Sequence, residues 1–203
     1  MVSAMTGLNY QKMMEDTLRD LGERRPRLLL HACCAPCASW PLESLSSRFE
    51  ITVFYCNPNI MPREEFDKRL GEFEKLRRYP FRLEAEPWDN AAFLAAVRGR
   101  EGDREGGARC ALCFRLRLRR TAEKAKAEGF DFFATTLTVS PHKNAEIING
   151  IGAELGKALG VPWLYSDFKK REGYKRSIEL CRELSIYRQD YCGCRLAPER
   201  KDE

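Results

Sequence analysis

The chain has 203 residues, of which 35 are Lys or Arg and 30 are Asp or Glu, so its formal net charge of +5 is only mildly basic. This length is enough to bury a core in one domain, which excludes a disulfide-stapled mini-protein. The charge balance alone does not predict a nucleic-acid partner, and any such prediction depends on where the basic residues lie.

The first 27 residues carry charged side chains from Lys12 onward and contain no apolar run of signal-peptide length. No later segment has the apolar length of a membrane span. We therefore expect a cytoplasmic protein with no membrane partner. In that reducing compartment, nine cysteines predict metal or redox chemistry rather than structural disulfides, and their odd number excludes complete pairing.

Hydrophobic periodicity and turn residues predict an alternation of helices and strands in the first half of the chain. In chain order, the predicted elements are a helix over 9–21, a strand over 28–30, a cysteine-rich turn, a helix from about 41 to 48, a strand over 51–55, a proline-rich turn over 57–62, a helix over 63–78, a strand over 81–83 and a helix over 89–98.

The second half continues the alternation after a charged, glycine-rich loop over 99–107. Its predicted elements are a helix over 109–128, a strand over 130–137, a loop over 138–143, a helix over 144–159, a strand over 161–165 and a helix over 174–184. This order predicts an α/β fold with a doubly wound, mostly parallel sheet, whose ligand site lies at the carboxyl ends of the strands. We predict a single domain over 1–203, with an N-terminal helix at about 9–21 and a cysteine-containing C-terminal segment at about 174–203.

The cysteine-rich turn is the strongest candidate site. His31 follows the apolar strand, and Cys33, Cys34 and Cys37 come within five positions of one another. A turn held by Pro36 brings three thiols close to each other and to solvent. Thiolate chemistry or metal binding is favoured there over burial.

A second group is the pair Cys110 and Cys113 at the start of the helix predicted over 109–128. Residues at i and i+3 share one helix face, and the helix dipole favours thiolates at this end. With Cys33 and Cys34, the pair supplies four thiolate ligands. The spacing favours a [4Fe-4S] cluster, with structural zinc as the alternative because zinc sites usually use two Cys-x₂₋₄-Cys pairs.

Cys37 is then a fifth thiol beside a four-ligand cluster. We predict that it binds a second metal ion, a further iron or another divalent metal. Asp89 is a candidate carboxylate ligand for that ion, and a helix cap is its alternative role.

The third group is Cys192 and Cys194 near the C-terminus. A disulfide across one intervening residue closes a strained ring that is easily reduced, and Gly193 gives the backbone the freedom such a ring needs. We therefore predict a reversible redox pair, with metal ligation or incidental cysteines in a disordered tail as alternatives. His142 and Lys143, in the loop over 138–143, are candidate proton donors.

Basic side chains form two candidate RNA-binding groups. Arg115 and Arg119 lie on the helix over 109–128, and Lys169, Lys170 and Arg171 follow the last predicted strand. Such surfaces bind phosphates, and exposed aromatic residues stack on unpaired bases. An ordinary solvated helix face is the alternative.

Seven segments together resemble the cobalamin-independent epoxyqueuosine reductases of the QueH family, in the same order and across nearly the whole chain. They are 9–12, 31–37, 57–60, 109–113, 135–137, 140–141 and 187–194. The resemblance implies a fold related to the adenine nucleotide alpha hydrolases. This chain has no glycine- and serine-rich phosphate loop like theirs, so we do not predict that it uses ATP.

The resemblance also implies an activity, the two-electron reduction of epoxyqueuosine to queuosine at the wobble position of tRNA, the last step of queuosine formation. It implies that Cys33, Cys34, Cys110 and Cys113 hold the [4Fe-4S] cluster and that Cys192 and Cys194 are the redox-active pair. The implied partners are tRNA carrying epoxyqueuosine and an electron donor of unknown identity. A tRNA sulfurtransferase and a zinc-stabilised RNA-binding module are the alternatives.

Overall fold

A parallel sheet of four strands organises the chain in the computed structural model, which describes residues 7–194. The predicted C-terminal segment therefore lies partly outside the described residues. The strands are β1 (Arg27–His31), β2 (Glu50–Tyr55), β3 (Arg82–Ala85) and β4 (Phe132–Thr135). Their spatial order is β3-β2-β1-β4, and each neighbouring pair is parallel. The predicted α/β class and parallel sheet are confirmed.

Helices connect the strands and cover both faces of the sheet. They are α1 (Tyr10–Asp20), α2 (Ala35–Leu45), α3 (Arg63–Gly71), α4 (Ala91–Ala96), α5 (Ala108–Ala127), α6 (Ala145–Leu159) and α7 (Gly173–Glu183). Short 3₁₀ helices follow α3 at Glu72–Leu76 and β4 at Thr136–Val139. Among the helices of residues 7–194, none is long and apolar enough to cross a membrane.

Alternate strand residues fill two apolar layers. Leu28 and Leu30 of β1 pack into one layer with α2 and α7, whereas Leu29 packs into the other with α5 and α6. A strand covered on both faces is apolar throughout instead of alternating with polar residues. This explains why a short continuous run such as Leu28–Leu30 forms the central strand.

The helix after the cysteine-rich turn begins earlier than predicted. It starts at Ala35 instead of at about Pro41, and Cys34 occupies the N-cap position. Pro36 lies at the start of the helix. Proline is favoured there because the N–H that it lacks would have no intrahelical acceptor and because its fixed φ matches that of a helix. The cysteine motif is therefore the N-terminus of a helix, whose dipole favours thiolates.

The prediction of a strand over 161–165 is wrong. Within the described residues, this segment contributes one isolated parallel bridge, between Trp163 and Phe133. Pro162 has no N–H to donate to a ladder, so regular pairing cannot extend through it. Two other predictions were too long, because the helix over 63–78 divides into α3 and a 3₁₀ turn, and the strand over 130–137 ends at Thr135.

The order of the strands reverses across β1, since β2 and β3 lie on one side of it and β4 on the other. In open parallel sheets, ligands bind in the crevice at the carboxyl ends of the strands where the order reverses. β1 ends at His31, just before the cysteine motif, and β4 leads toward the loop that holds Lys143. The fold therefore brings these two segments to the same edge of the sheet.

Candidate active site

His31 fixes the end of β1 beneath the site. Its buried ring places Nε2 3.1 Å from the carbonyl of Cys56 and Nδ1 2.8 Å from Thr135 Oγ1. Burial, assisted by the nearby charge of Arg117, lowers the pKa of His31 to about 3. The ring is therefore neutral, so Nε2 donates to the carbonyl and Nδ1 accepts from the hydroxyl. His31 ties strand ends together and is not exposed as a proton donor.

Cys33, Cys34 and Cys37 form a cluster of thiols at the N-terminus of α2, with all three sulfur atoms within 4.8 Å of one another. Among residues 7–194, this is the one group of three or more Cys, His, Asp or Glu side chains that could hold a metal ion. The arrangement is compatible with a metal ion or an iron–sulfur cluster.

The hydrogen bonds among these three thiols shift their pKa values in opposite directions. Hydrogen bonds from the thiols of Cys34 and Cys37 lower the pKa of Cys33 well below its usual range. The same bonds raise the pKa of Cys34 to about 12 and that of Cys37 well above its usual value. Because metals bind thiolates, metal binding here would release protons from the thiols that remain protonated.

Cys110 and Cys113 lie in the first turns of α5, as predicted. Burial raises the pKa of Cys113 to about 11. A small cavity of about 20 Å³ is lined by both of these residues and by Cys192 and Cys194. The second and third predicted groups of cysteines are therefore neighbours.

Cys192 and Cys194 are not joined by a disulfide, and neither is any other of the nine cysteines, all of which lie within the described residues. A hydrogen bond from Cys194 outweighs burial and, together with the charge of Lys143, lowers the pKa of Cys192 to about 5. Gly193 between them has a role that the sequence does not reveal. Its φ is not in the left-handed region, but a Cβ there would lie 2.9 Å from Ile60 Cγ1 and 3.2 Å from Arg69 Nη1. Close packing, not backbone freedom, requires glycine.

A larger cavity of about 550 Å³ opens beside these groups and has Cys33, Cys37 and Cys192 in its wall. Its volume lies in the range of roughly 300–1,000 Å³ that is usual for small-molecule sites. The two cavities share five wall residues, which are Glu105, Arg117, His142, Lys143 and Cys192. The cluster at α2 and the thiols near α5 therefore lie on either side of one shared wall.

Two buried arginines in the wall of the larger cavity were missed at the sequence level. Arg117 is 3% exposed and Arg69 is 4% exposed. Arg117 Nη1 donates to Asn57 Oδ1 at 3.3 Å, and Arg69 Nε forms an ion pair with Glu65 at 2.6 Å. Buried cations are costly unless anions face them, and here they face thiolates. Arg117 follows Cys113 by one helical turn, a spacing that could have identified it, whereas no local pattern marks Arg69.

Lys143 is half-buried in the wall that the two cavities share. Burial by itself would lower the pKa of Lys143, but the charges of Cys33, Cys37 and Cys192 raise it above its usual value. Lys143 is therefore protonated at neutral pH. His142 is exposed and lines the same two cavities.

Asp89 does not join Cys37, contrary to the predicted metal site. Its Oδ1 accepts a hydrogen bond from the backbone N–H of Ala91 at 2.8 Å. The first N–H groups of a helix have no intrahelical acceptor, so Asp89 satisfies one of them at the start of α4. Asp89 therefore has the helix-capping role that was the alternative to metal binding.

The five residues predicted to contact RNA do not line the larger cavity within the described part of the chain. Three of them pair with carboxylates, Arg115 with Glu154 at 2.6 Å, Lys169 with Asp167 at 2.5 Å and Arg171 with Glu15 at 3.2 Å. Arg119 and Lys170 are exposed. The paired side chains have less free charge to offer to phosphates than the exposed ones.

Comparison with known proteins identifies relatives over most of the chain. The family model described as epoxyqueuosine reductase QueH matches residues 28–200. A relative of that name from Streptococcus pyogenes serotype M1 is 43% identical over 197 residues, which cover 92% of this chain and 77% of the relative. Another, from Staphylococcus aureus, is 37% identical over 198 residues, which cover 92% of this chain and 82% of the relative.

Among solved structures, the U34-tRNA thiolase NcsA from Methanococcus maripaludis, with its [4Fe-4S] cluster, matches with a TM-score of 0.54 at 13% identity. The match covers 91% of this chain and 66% of that one, so this chain spans slightly less than two thirds of the thiolase. At this identity the likeness shows the fold alone, an α/β fold around a parallel sheet, in agreement with the predicted class. The family model and the two relatives show that the chain belongs to the epoxyqueuosine reductase family QueH.

Proposed function

We propose that this chain reduces epoxyqueuosine to queuosine at the wobble position of tRNA, with a [4Fe-4S] cluster and a redox-active pair of cysteines. Membership of the family makes it an oxidoreductase. One observation carries the mechanism: the three groups of cysteines line two adjoining cavities that share a wall, at the carboxyl edge of the sheet. Thiolates both bind redox metals and carry electrons, so this arrangement suits a reduction.

Cysteines at the N-termini of two helices support an iron–sulfur cluster as the cofactor. Cys33 and Cys34 at the N-terminus of α2 and Cys110 and Cys113 at that of α5 would be the four ligands. Both helix termini favour thiolates, and Arg117 in the shared wall supplies a buried compensating cation. When bound, such a cluster supplies electron transfer.

Cys37 is the third sulfur of the α2 cluster and is not used in this ligand set. We assign it to a second iron or another divalent metal. The other ligands of that ion would come from the cavity or the substrate, because Asp89 is engaged at α4.

The reaction consumes two electrons and two protons, releases the epoxide oxygen as water and leaves a carbon–carbon double bond. Oxidation of the Cys192 thiolate and the Cys194 thiol to a disulfide supplies two electrons and one proton, Lys143 supplies the second proton, and an external electron donor then restores the reduced pair. Lys143 holds a proton in the cavity wall. It would donate this proton to the epoxide oxygen, with exposed His142 as the second candidate donor.

The substrate enters the cavity as an unpaired base of the anticodon loop. Tyr174 and Arg188 lie in the cavity wall, and such side chains stack on unpaired bases. Two exposed side chains, those of Arg119 and Lys170, have charges available to bind the phosphates of the stem. Three others could join this surface only by leaving their carboxylate partners for phosphates: Arg115, Lys169 and Arg171. Because the substrate is tRNA, we place the reaction in the cytoplasm.

Anaerobic turnover tests the proposal. tRNA carrying epoxyqueuosine is incubated with the cluster-loaded protein and a low-potential chemical reductant, and its nucleosides are then separated and weighed by mass spectrometry. We expect queuosine from the wild type and none from Cys33→Ser or Cys192→Ser. Cys181→Ser is the matched control, because Cys181 is buried on α7 and lines neither cavity. A loaded wild type that forms no queuosine, or a Cys33→Ser variant with full turnover, would contradict the proposal.

A further inference from the structure

The chain between α7 and the proposed redox pair forms a strap, residues 185–194, all of which are described. The strap contains no helix or strand, and residues 188–193 within it line the larger cavity. Without a helix or a ladder of its own, its path depends on contacts with other parts of the chain. Because the strap carries Cys192 and Cys194, those contacts also determine where the redox pair lies.

The strap runs back along α3 and the residues on either side of it. Contacts between the two segments come in reverse order along the chain: Lys75 with Ser185, Glu72 and Lys68 with Tyr187, Arg69 with Tyr191, and Met61 with Gly193. Midway along the strap, Gln189 Nε2 also donates to Cys34 Sγ at 3.1 Å. The strap therefore lies antiparallel to the segment over 61–75, from the end of α7 to the redox pair.

Two side chains of the 3₁₀ turn after α3, Glu72 and Lys75, form a clamp on the start of the strap. Glu72 Oε2 accepts from the Tyr187 N–H at 2.6 Å and from Lys75 Nζ at 2.8 Å. Lys75 Nζ also donates to the Ser185 carbonyl at 2.8 Å. The Glu72 side chain is only 15% exposed, so its bond to the N–H is charge-assisted and weakly screened by solvent. The clamp therefore holds one backbone donor and one backbone acceptor of the strap.

The clamp acts on a strained turn of the backbone. Ser185 has a φ of 52°, in the left-handed region. A residue other than glycine stays in this region only where surrounding contacts hold it there. The next residue, Ile186, is 6% exposed, and its N–H donates to the Cys181 carbonyl at 2.9 Å. The clamp therefore fixes the bend at which the chain leaves α7 and turns toward the cavity.

We propose that Glu72 is a positioning residue for the redox pair: by holding the Tyr187 N–H, it keeps the strap along α3 and Cys192 in the cavity wall. The inference rests on the proposed function, in which this pair supplies the electrons. Among the described residues that line the two cavities, Glu72 is absent, so it acts through the strap and not on the substrate. An irregular segment held by a few contacts opens with a small free energy. Loss of the clamp would therefore leave many molecules with Cys192 displaced.

Hydrogen exchange on the cluster-loaded full chain, measured anaerobically by mass spectrometry on the peptide over 184–194, tests the hold on the strap. Glu72→Leu removes the acceptor and should speed exchange of this peptide about 10-fold, with α5 and α6 unchanged. Glu72→Gln keeps an oxygen that accepts from the Tyr187 N–H and should restore most of the protection. Glu74→Leu is the matched control, because Glu74 lies on the same 3₁₀ turn, is 67% exposed and pairs with Arg77. It should exchange like the wild type.

Single-turnover reduction at several concentrations of tRNA then separates positioning from binding. In Glu72→Leu, the rate at saturation should fall about 3-fold or more, because fewer molecules hold Cys192 in place. The half-saturating concentration should change by less than about 2-fold, because contacts to phosphates carry a large share of RNA affinity. Glu72→Gln should recover the rate. Lys75 is 41% exposed, so Lys75→Met is the variant to use if Glu72→Leu does not fold; it should speed strap exchange about 3-fold and lower the rate.

Unchanged strap exchange in Glu72→Leu and Lys75→Met overturns the proposal, and so does faster exchange at an unchanged single-turnover rate. Faster exchange spread evenly over the chain would show a general loss of stability and contradicts positioning as well. The exchange measurement requires no turnover. Unchanged exchange in a protein that forms queuosine therefore overturns the role of Glu72 alone. A strap that loosens only in the clamp variants of a protein without turnover supports the hold of Glu72 on the strap and contradicts the reductase assignment.

Discussion

Gly152 of α6 lies against the indole of Trp163, and Gly152→Ala should destabilise the protein. An added Cβ would lie 2.3 Å from Trp163 Cδ2 and Cε2, whereas ordinary contact begins at 3.4 Å. The ring or the helix would have to move by about 1 Å. The ring is not free to do so, because Trp163 Nε1 donates to Asn149 Oδ1 at 3.0 Å and its face meets the edge of Phe133.

The expected change follows from three contributions. Overpacking of a dense core costs about 1–3 kcal/mol, and weakening the buried Trp163–Asn149 hydrogen bond costs about 1 kcal/mol more. Alanine is favoured over glycine inside a helix by about 1 kcal/mol, which offsets the second contribution. We therefore expect Gly152→Ala to lower the free energy of unfolding by about 1–3 kcal/mol. For a chain of this length, that corresponds to a fall in Tm of roughly 2–12 °C.

Urea unfolding followed by far-UV circular dichroism, at matched iron content, measures the change. Gly71→Ala is the control, since Gly71 has helical φ and ψ of −59° and −29° and nothing within 4 Å of an added Cβ. Its midpoint should equal or exceed that of the wild type. A Gly152→Ala midpoint at or above the wild-type value would refute the packing argument.

Three further predictions concern the site and the scaffold around it. Lys143→Met should lower the single-turnover rate by about 100-fold or more at unchanged iron content, as expected for loss of a general acid; an unchanged rate would remove Lys143 from the mechanism. Cys37→Ala should lower total iron or other metal by about one ion per chain while acid-labile sulfide stays constant, and metal analysis that finds no such loss contradicts a second ion. Glu43 accepts from Arg176 at 2.7 and 3.0 Å and from Tyr79 at 2.7 Å, and these bonds, Arg176 first, lower its pKa despite partial burial. The stabilisation by Glu43 is therefore present above the pKa of Glu43 in the unfolded chain and is lost as the pH falls through its pKa in the folded protein. Glu43→Gln should lower the free energy of unfolding by about 1 kcal/mol at pH 7 and by little at acidic pH, as measured by urea midpoints. An equal loss at both pH values would contradict this.

Much of the fold follows from local patterns in the chain. The run Leu28–Leu30 and the β-branched stretch over 51–55 predict buried strands, and four parallel strands with intervening helices result. Local patterns fail where a proline can either begin a helix or interrupt a regular element. Pro36 begins α2 although Pro41 suggests a later start, and Pro162 reduces a predicted strand to a single bridge.

The cysteine positions could also be predicted, because residue type and spacing define a thiol site. The closeness of Cys33, Cys34 and Cys37 was predicted too, whereas the placement of Cys110 and Cys113 beside the C-terminal pair was not. Cys37 lies with Cys33 and Cys34, and Cys110 and Cys113 lie with the C-terminal pair, because the packing of α2, α5 and the C-terminal segment sets these distances.

Arg69 could not be found from the sequence, and Gln189 lies in the segment 187–194 that supports the family resemblance but was given no role of its own. Their roles depend on contacts with residues far away in the chain, such as that between Gln189 and Cys34. A polar residue becomes a candidate for positioning a site only when its burial and its partners are known, and neither property is encoded locally.

The central claim is that the thiols at this edge hold a redox-active iron–sulfur group. Iron, zinc and acid-labile sulfide, measured on anaerobically purified wild type together with the visible spectrum, test this most directly. We predict about four sulfides and at least about four irons per chain, with a broad absorption near roughly 400 nm. Zinc without sulfide, persisting after anaerobic reconstitution with iron and sulfide, would contradict the claim and favour a zinc-stabilised RNA-binding protein.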